Sequence, residues 1–223
     1  MPRPRNILFD LDGTLADTAV DLAGALNELL VEQGRPPLPF EQIRPVVSDG
    51  SPAMLGLAFG VKRGEPGFEQ LRNRFLELYA ADLSRGTRLF RGVEELLAAL
   101  DGRRLPWGIV TNKPAALTAP LLSALALDIR SACVVSGDTL ERNKPHPDPL
   151  LHACRLCAME PGETVYVGDA RRDVEAAHAA GMACVVAGYG YLGAGENPTD
   201  WNAEGIISEP GQLLDWLDRL AVA

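Results

Sequence analysis

The apolar positions of this chain change period along its length, and the changes divide it into blocks. Ile7-Leu8-Phe9 is a short apolar run that delivers two carboxylates, Asp10 and Asp12, and breaks at Gly13. A short apolar run closed by a turn residue predicts a buried strand. From about residue 17 to 85 the period is helical. Leu22, Leu26, Leu29 and Leu30 form one stripe, Met54, Leu55 and Phe59 a second, and Leu71, Phe75, Leu76 and Tyr79 a third. That spacing puts each set on one face of a helix. Gly34, Pro36, Pro37, Pro39 and the stretch from Gly60 to Gly67 punctuate them. After Gly92 the pattern alternates. Helices are predicted over 93–100, 114–125, 147–157 and 171–180, and strands over 107–111, 133–136, 164–167 and 183–187. Pro114 and Pro147 suit the first turn of a helix, where a missing N–H costs little. Residues 206–207 add a short edge strand and 213–220 a closing helix. Alternation of this kind implies a parallel sheet covered on both faces. The predicted class is α/β, with a small helical bundle inserted after the first strand.

Composition narrows this picture only a little. At 223 residues the chain can form one large domain, or one domain with an insertion. It has no tract of twenty apolar residues, so no membrane partner is expected. Met-Pro-Arg-Pro-Arg leads directly into the first strand without an apolar signal region, and a cytoplasmic location is expected. The net charge of −9 argues against nucleic acid as a partner. It leaves room for a small phosphate ligand, which needs only a few local cations and amides. Oligomeric state cannot be read from the chain. Cys154 and Cys157 are the only close pair among Cys133, Cys154, Cys157 and Cys184. No second pair or spaced histidines accompany them, so they read as small buried residues rather than zinc ligands. The basic residues are nearly all arginine; the lysines are Lys62, Lys113 and Lys144. A compact point charge suits a crowded anionic centre better than a planar fork, which draws attention to Lys144.

Candidate chemistry starts at Asp10 and Asp12. If extended geometry continues through both, they point to the same side. Paired carboxylates at the end of a buried strand are costly unless they hold a cation or move protons. The carboxyl end of a strand is also where open α/β sheets bind ligands. The competing reading is an Asx turn in which Asp12-Gly13 merely reverses the chain.

Phe9-Asp10-Leu11-Asp12-Gly13-Thr14-Leu15 resembles motif I of the haloacid dehalogenase (HAD) superfamily. Val110-Thr111-Asn112 resembles its motif II, Asn143-Lys144-Pro145-His146-Pro147 its motif III, and Tyr166-Val167-Gly168-Asp169 with Asp173 its motif IV. The four occur in order, each near the end of an apolar run, and span residues 6 to about 190. The resemblance implies a Rossmann-like parallel sheet core, residues 1–16 and 86–223, with a helical type 1 cap over 17–85.

It also implies roles. Asp10 would be the nucleophile and Asp12 the general acid and base. Lys144 would neutralise both Asp10 and the phosphoryl group. Mg²⁺ would be the cofactor, held by Asp10, Asp169 and the main-chain carbonyl of Asp12. Asp173 would support that site from behind, or else be an acidic residue favoured by the helix dipole. Thr111 and the Asn112 amide would hold phosphoryl oxygens; the alternative for Thr111 is a strand-terminal hydroxyl that satisfies local backbone. Lys113 would touch substrate or be a solvated charge at a helix start. Ser48-Asp49-Gly50-Ser51 resembles the cap specificity loop, placing Gly50 and Ser51 against substrate; an ordinary Asp-Gly turn with Ser51 as N-cap is the alternative.

The implied activity is Mg²⁺-dependent hydrolysis of a small phosphate ester through an aspartyl-phosphate. A sugar phosphomutase of the same superfamily is the alternative, and a non-catalytic binding module would have lost one of these residues. Asp12 sets the chain apart from the dehalogenases, which lack a second aspartate, and from ion-pumping ATPases, which carry lysine there. Gly168-Asp169-Ala170-Arg171-Arg172-Asp173 and Gly188-Tyr189-Gly190-Tyr191 are most similar to the phosphoglycolate phosphatase group. Glu196-Asn197-Pro198 and Trp201 look more like the subgroup acting on N-acetylmuramic acid 6-phosphate.

Overall fold

The computed structural model describes residues 4–193 and 195–222. Strand β1 (Asn6–Phe9) is followed by β2 (Ala16–Asp17) and the helices α1 (Ala19–Glu32), α2 (Phe40–Ile43), α3 (Gly50–Phe59) and α4 (Phe68–Ala81). The chain then returns through β3 (Arg88–Leu89) to α5 (Val93–Gly102), β4 (Trp107–Val110), α6 (Ala115–Ala124), β5 (Val134–Val135) and α7 (Asp148–Cys157). It closes with β6 (Thr164–Gly168), α8 (Arg171–Ala179), β7 (Ala183–Ala187), β8 (Gly205–Ile207) and α9 (Gln212–Val222). Six strands form one parallel sheet in the order β5-β4-β1-β6-β7-β8.

Strand alternation explains how one sheet serves two cores. Ile7, Phe9, Trp107, Ile109, Val165, Val167 and Val185 pack in one apolar cluster. Leu8, Val110, Tyr166, Cys184 and Val186 pack in another, with Leu150, Ala153 and Val174 of α7 and α8. The first cluster continues without a break into the helical block through Leu22, Leu26, Leu29, Met54 and Phe75. The helical block and one face of the sheet therefore share apolar packing.

Three details depart from the sequence pattern. The chain enters and leaves the helical block on a two-stranded antiparallel ribbon, with Ala16 opposite Leu89 and Asp17 opposite Arg88. Strands of two residues are too short to carry a period. Helix α2 is a single turn and is missed for the same reason. Pro114 and Pro147 sit just before α6 and α7 rather than inside their first turns. The cysteines carry no disulfide; Cys133, Cys154 and Cys184 are buried and Cys157 is half-buried.

Candidate active site

Three adjacent strands, β4, β1 and β6, end side by side, and each hands the chain to a polar segment. Asp10 follows β1, Thr111 to Lys113 follow β4, and Asp169 follows β6. This is the carboxyl edge of the sheet, where the strands stop pairing and leave a crevice. Gly13 adopts a φ of +83°. A Cβ there would run into the Asp169 carboxylate, so the turn after Asp12 needs glycine for both conformation and space.

Lys144 ties this edge together. Its Nζ lies 3.0 Å from Asp10 Oδ1 and 2.9 Å from Asp173 Oδ1. It donates to the carbonyl of Val110 at 3.1 Å and to the Tyr166 hydroxyl at 2.7 Å. An ammonium has three N–H groups for these four neighbours, and the Asp173 contact is one of charge without hydrogen-bond alignment. The Lys144 side chain is fully buried. Burial pushes the Asp10 carboxyl above its ordinary range; Lys144 opposes this and Asp173 adds to it. Asp10 Oδ1 also accepts from the Leu11 N–H at 2.8 Å.

Asp10, Asp169 and Asp173 each bring a carboxylate oxygen within 4.8 Å of the others. Their commitments differ. Asp173 Oδ2 accepts from the Ala170 N–H at 3.0 Å while Oδ1 faces Lys144. Asp169 Oδ2 accepts from the Tyr191 N–H at 2.9 Å and from the Ser48 hydroxyl at 2.6 Å. Asp169 Oδ1 is buried and has no hydrogen-bond partner. Burial, then Asp173 and Asp10, push the Asp169 carboxyl up to about 7. A hard cation would satisfy Oδ1 and relieve that repulsion, and a few carboxylate oxygens plus water and phosphate suit Mg²⁺. These residues fit a metal.

Asp12 points elsewhere. Its Oδ1 accepts from the Thr18 hydroxyl at 2.7 Å and from the Lys113 ammonium at 2.9 Å. Lys113 also reaches the Tyr79 hydroxyl at 3.0 Å. Burial works against the Lys113 charge, but Asp12 and Tyr79 outweigh it and hold the ammonium above its ordinary range. Thr111 Oγ1 accepts from the Lys113 N–H at 3.2 Å, which leaves its O–H free to donate. The Asn112 side chain clasps the Lys144 backbone, donating to its carbonyl at 3.0 Å and accepting from its N–H at 3.2 Å. It thereby positions the lysine.

A cavity of about 360 Å³ lies between this edge and the helices. Asp10, Asp12, Thr111, Asn112 and Lys113 line its sheet side, and Gly50, Ser51, Met54, Phe75 and Tyr79 its helical side. Gly50 has a φ of +71° at the start of α3. Three arginines also line the cavity: Arg63 and Arg72 from the helical block, and Arg172 from α8. Burial disfavours the Arg172 charge, but Asp173, Asp10 and Asp169 outweigh it.

All the residues expected from sequence thus converge on one site, except that Lys144, Asp169 and Asp173 sit behind its wall. Sequence reasoning missed Ser48 as a partner of Asp169, and Tyr166, Tyr191 and Tyr79 as hydroxyls that anchor the site. It also missed Arg63, Arg72 and Arg172, which no local pattern distinguishes from the many other arginines. The segment from Asn197 to Trp201 does not line the cavity. Asn197 caps a short helix over Pro198–Trp201, and Trp201 is buried beside Val174 and Ala177 of α8 in the second apolar cluster.

Comparison with known proteins decides the family. The model of the haloacid dehalogenase-like hydrolases matches residues 7–187. The chain belongs to the haloacid dehalogenase-like hydrolases. It is 39% identical over 217 residues to an N-acetylmuramic acid 6-phosphate phosphatase of Pseudomonas aeruginosa, covering 97% of this chain and 96% of that one. It is 44% identical over 212 residues to a phosphoglycolate phosphatase of Xanthomonas campestris pv. campestris, covering 95% and 96%. A crystal structure of a predicted phosphoglycolate phosphatase from Haemophilus somnus superposes with a TM-score of 0.85 at 28% identity, covering 97% and 99%. This HAD hydrolase is a phosphatase similar to the phosphoglycolate phosphatases, and the buried Asp10, Asp169 and Asp173 cluster is consistent with the metal site of its family. None of its described helices is long and apolar enough to cross a membrane.

Proposed function

We propose that the protein hydrolyses a small phosphorylated carboxylic acid through a phosphorylated Asp10, with residues 17–85 acting as a cap over an α/β core. The observation that carries this reading is the meeting of Asp10 and Asp12 on one cavity wall, with Lys144 on Asp10 and an unpartnered Asp169 oxygen behind. Asp10 attacks phosphorus and the ester P–O bond breaks. Asp12 gives its proton to the leaving oxygen, then takes one from the water that attacks the acyl phosphate. Phosphate leaves and Asp10 is restored. Thr111 and the main-chain N–H of Asn112 hold phosphoryl oxygens, and Lys144 balances the charge that builds on Asp10 and phosphorus. Mg²⁺ would be held by Asp10, Asp169 and the Asp12 main-chain carbonyl, with Asp173 bracing Lys144 behind them, and would supply charge neutralisation at phosphorus.

Two features support an acidic substrate. Both named relatives act on phosphate esters that carry a carboxylate, and a second anion must be paired when it is buried. Arg63 and Arg72 border the cavity on the cap side with Gly50 and Ser51. Among described residues Arg63 has no carboxylate partner, and Arg72 has only Glu69 at 3.9 Å. The apolar side chains of Leu22, Met54, Phe75 and Leu76 on the same walls exceed what a two-carbon acid covers. They favour N-acetylmuramic acid 6-phosphate over 2-phosphoglycolate.

The test is phosphate release from both acids, neutral sugar phosphates and p-nitrophenyl phosphate, with Mg²⁺ and with a chelator. Release from an acid that depends on Mg²⁺ is expected. Full activity after exhaustive chelation would remove the metal from the account. Isomerisation of a sugar phosphate without free phosphate would identify a phosphomutase instead.

A further inference from the structure

Lys113 lines the cavity wall, yet its ammonium is taken up by protein partners. Its side chain is only 5% exposed, so it is not a solvated helix-start charge. Its ammonium is committed at 2.9 Å to Asp12 Oδ1 and at 3.0 Å to the Tyr79 hydroxyl. It also sits 4.5 Å from the centre of the Tyr79 ring, a cation–π distance. Lys113 follows β4 of the sheet, whereas Tyr79 lies on α4 of the helical block. A buried lysine of one layer is therefore gripped by the other layer and passes that grip to Asp12.

The grip is selective between the two Asp12 oxygens. Oδ1 accepts from both the Thr18 hydroxyl and the Lys113 ammonium. An oxygen that already accepts two donors has no room to carry a proton outward, so the proton that Asp12 transfers belongs on Oδ2. Thr18 is itself held, because its N–H donates to the Tyr191 hydroxyl at 2.7 Å.

We infer that Lys113, fixed by Tyr79, is a positioning residue that turns Asp12 so that Oδ2 meets the leaving oxygen, which makes proton transfer depend on the helical block being in place. The inference rests on the proposed acid role of Asp12. Misplacing a reacting group by about 1 Å can cost on the order of 10²-fold in rate. That cost falls only where a proton is needed. An alkyl phosphate needs one on its leaving oxygen, and p-nitrophenyl phosphate, whose leaving group is stable as an anion, does not.

The experiment compares kcat/KM on an alkyl phosphate substrate and on p-nitrophenyl phosphate, because this ratio reports the step that breaks the ester bond. Lys113→Met should lose about 10²-fold on the alkyl ester and only a few-fold on the aryl ester. Tyr79→Phe keeps the ring under the ammonium and removes one hydroxyl, so it should show the same selectivity at smaller size. It decides the matter if Lys113→Met does not fold. Asp12→Asn is the reference and should be selective by roughly 10²–10⁴-fold. If Asp12→Asn is selective and both other variants lose equally on the two esters, Lys113 is structural and the inference fails alone. If Asp12→Asn is itself unselective, the acid role fails, and the inference falls with it.

Discussion

Replacing Lys144 by methionine gives the sharpest test of how the site is held together. The side chain is fully buried, as is that of Asp173, and Asp10 is 4% exposed. Methionine keeps most of the volume and removes the charge 3.0 Å from Asp10 and 2.9 Å from Asp173. Two carboxylates are then left in a dry site without a cation in contact. Removing one partner of a buried ion pair costs about 3–5 kcal/mol. For a chain of this size each kcal/mol moves the melting temperature by roughly 2–4 °C, so a fall of about 10 °C is expected.

The loss has a definite pH dependence. Burial already raises Asp10, and losing Lys144 raises it further. A carboxyl whose folded pKa exceeds its unfolded value destabilises the fold increasingly as pH rises through that window. The gap between variant and parent should therefore be wider at pH 8 than at pH 5. Thermal unfolding by circular dichroism across that range, with a chelator present, measures it. Adding Asp173→Asn to Lys144→Met should recover part of the loss by removing one orphaned charge. A variant that melts within a degree or two of the parent at every pH would show that this ammonium does not hold the two carboxylates, and the reasoning would be wrong.

Arg63→Ala and Arg72→Ala should each raise KM for the acidic substrate by about tenfold, the worth of one exposed charge-assisted contact, and leave p-nitrophenyl phosphate hydrolysis nearly unchanged; equal effects on both would refer the change to cap packing. With Asp169 pushed up to about 7 in the metal-free protein, Mg²⁺ must displace a proton below that pH, so the Mg²⁺ concentration giving half-maximal activity should rise by about tenfold per pH unit. A Mg²⁺ requirement flat from pH 5 to 8 would contradict the assignment of Asp169 as a metal carboxylate.

Much of the fold was legible because long periodic segments report themselves. Runs such as Trp107 to Val110 and Thr164 to Val167 are apolar on both faces, the mark of a central parallel strand. The helical stripes at Leu22 to Leu30 and Phe75 to Tyr79 survive as α1 and α4. The β2–β3 ribbon and α2 were not legible, since two to four residues cannot show a period. Asp10, Asp12, Lys144 and Asp169 were legible as chemistry because each stands in a recognisable motif, the aspartates just past strand ends and Lys144 in the loop between β5 and α7. Their partners were not. Tyr79 reads as one more apolar position in a helical stripe, and only the packed structure shows its hydroxyl on Lys113. Ser48 lies 121 residues from the aspartate it meets. Contacts between distant segments follow from the register of whole elements, which no local spacing encodes. Conversely, Trp201 looked diagnostic of substrate, yet it is packed with α8 away from the cavity.

The central claim is that Asp10 carries the phosphoryl group. The direct measurement is peptide mapping by mass spectrometry after an acid quench, using Asp12→Asn to slow breakdown of the intermediate. With Mg²⁺ and an activated aryl phosphate, the peptide holding Asp10 should gain the mass of one phosphoryl group. Asp10→Asn in the same background should gain none. Steady turnover by the parent enzyme with no phosphoryl group on that peptide, or with the label on another residue, would contradict the account.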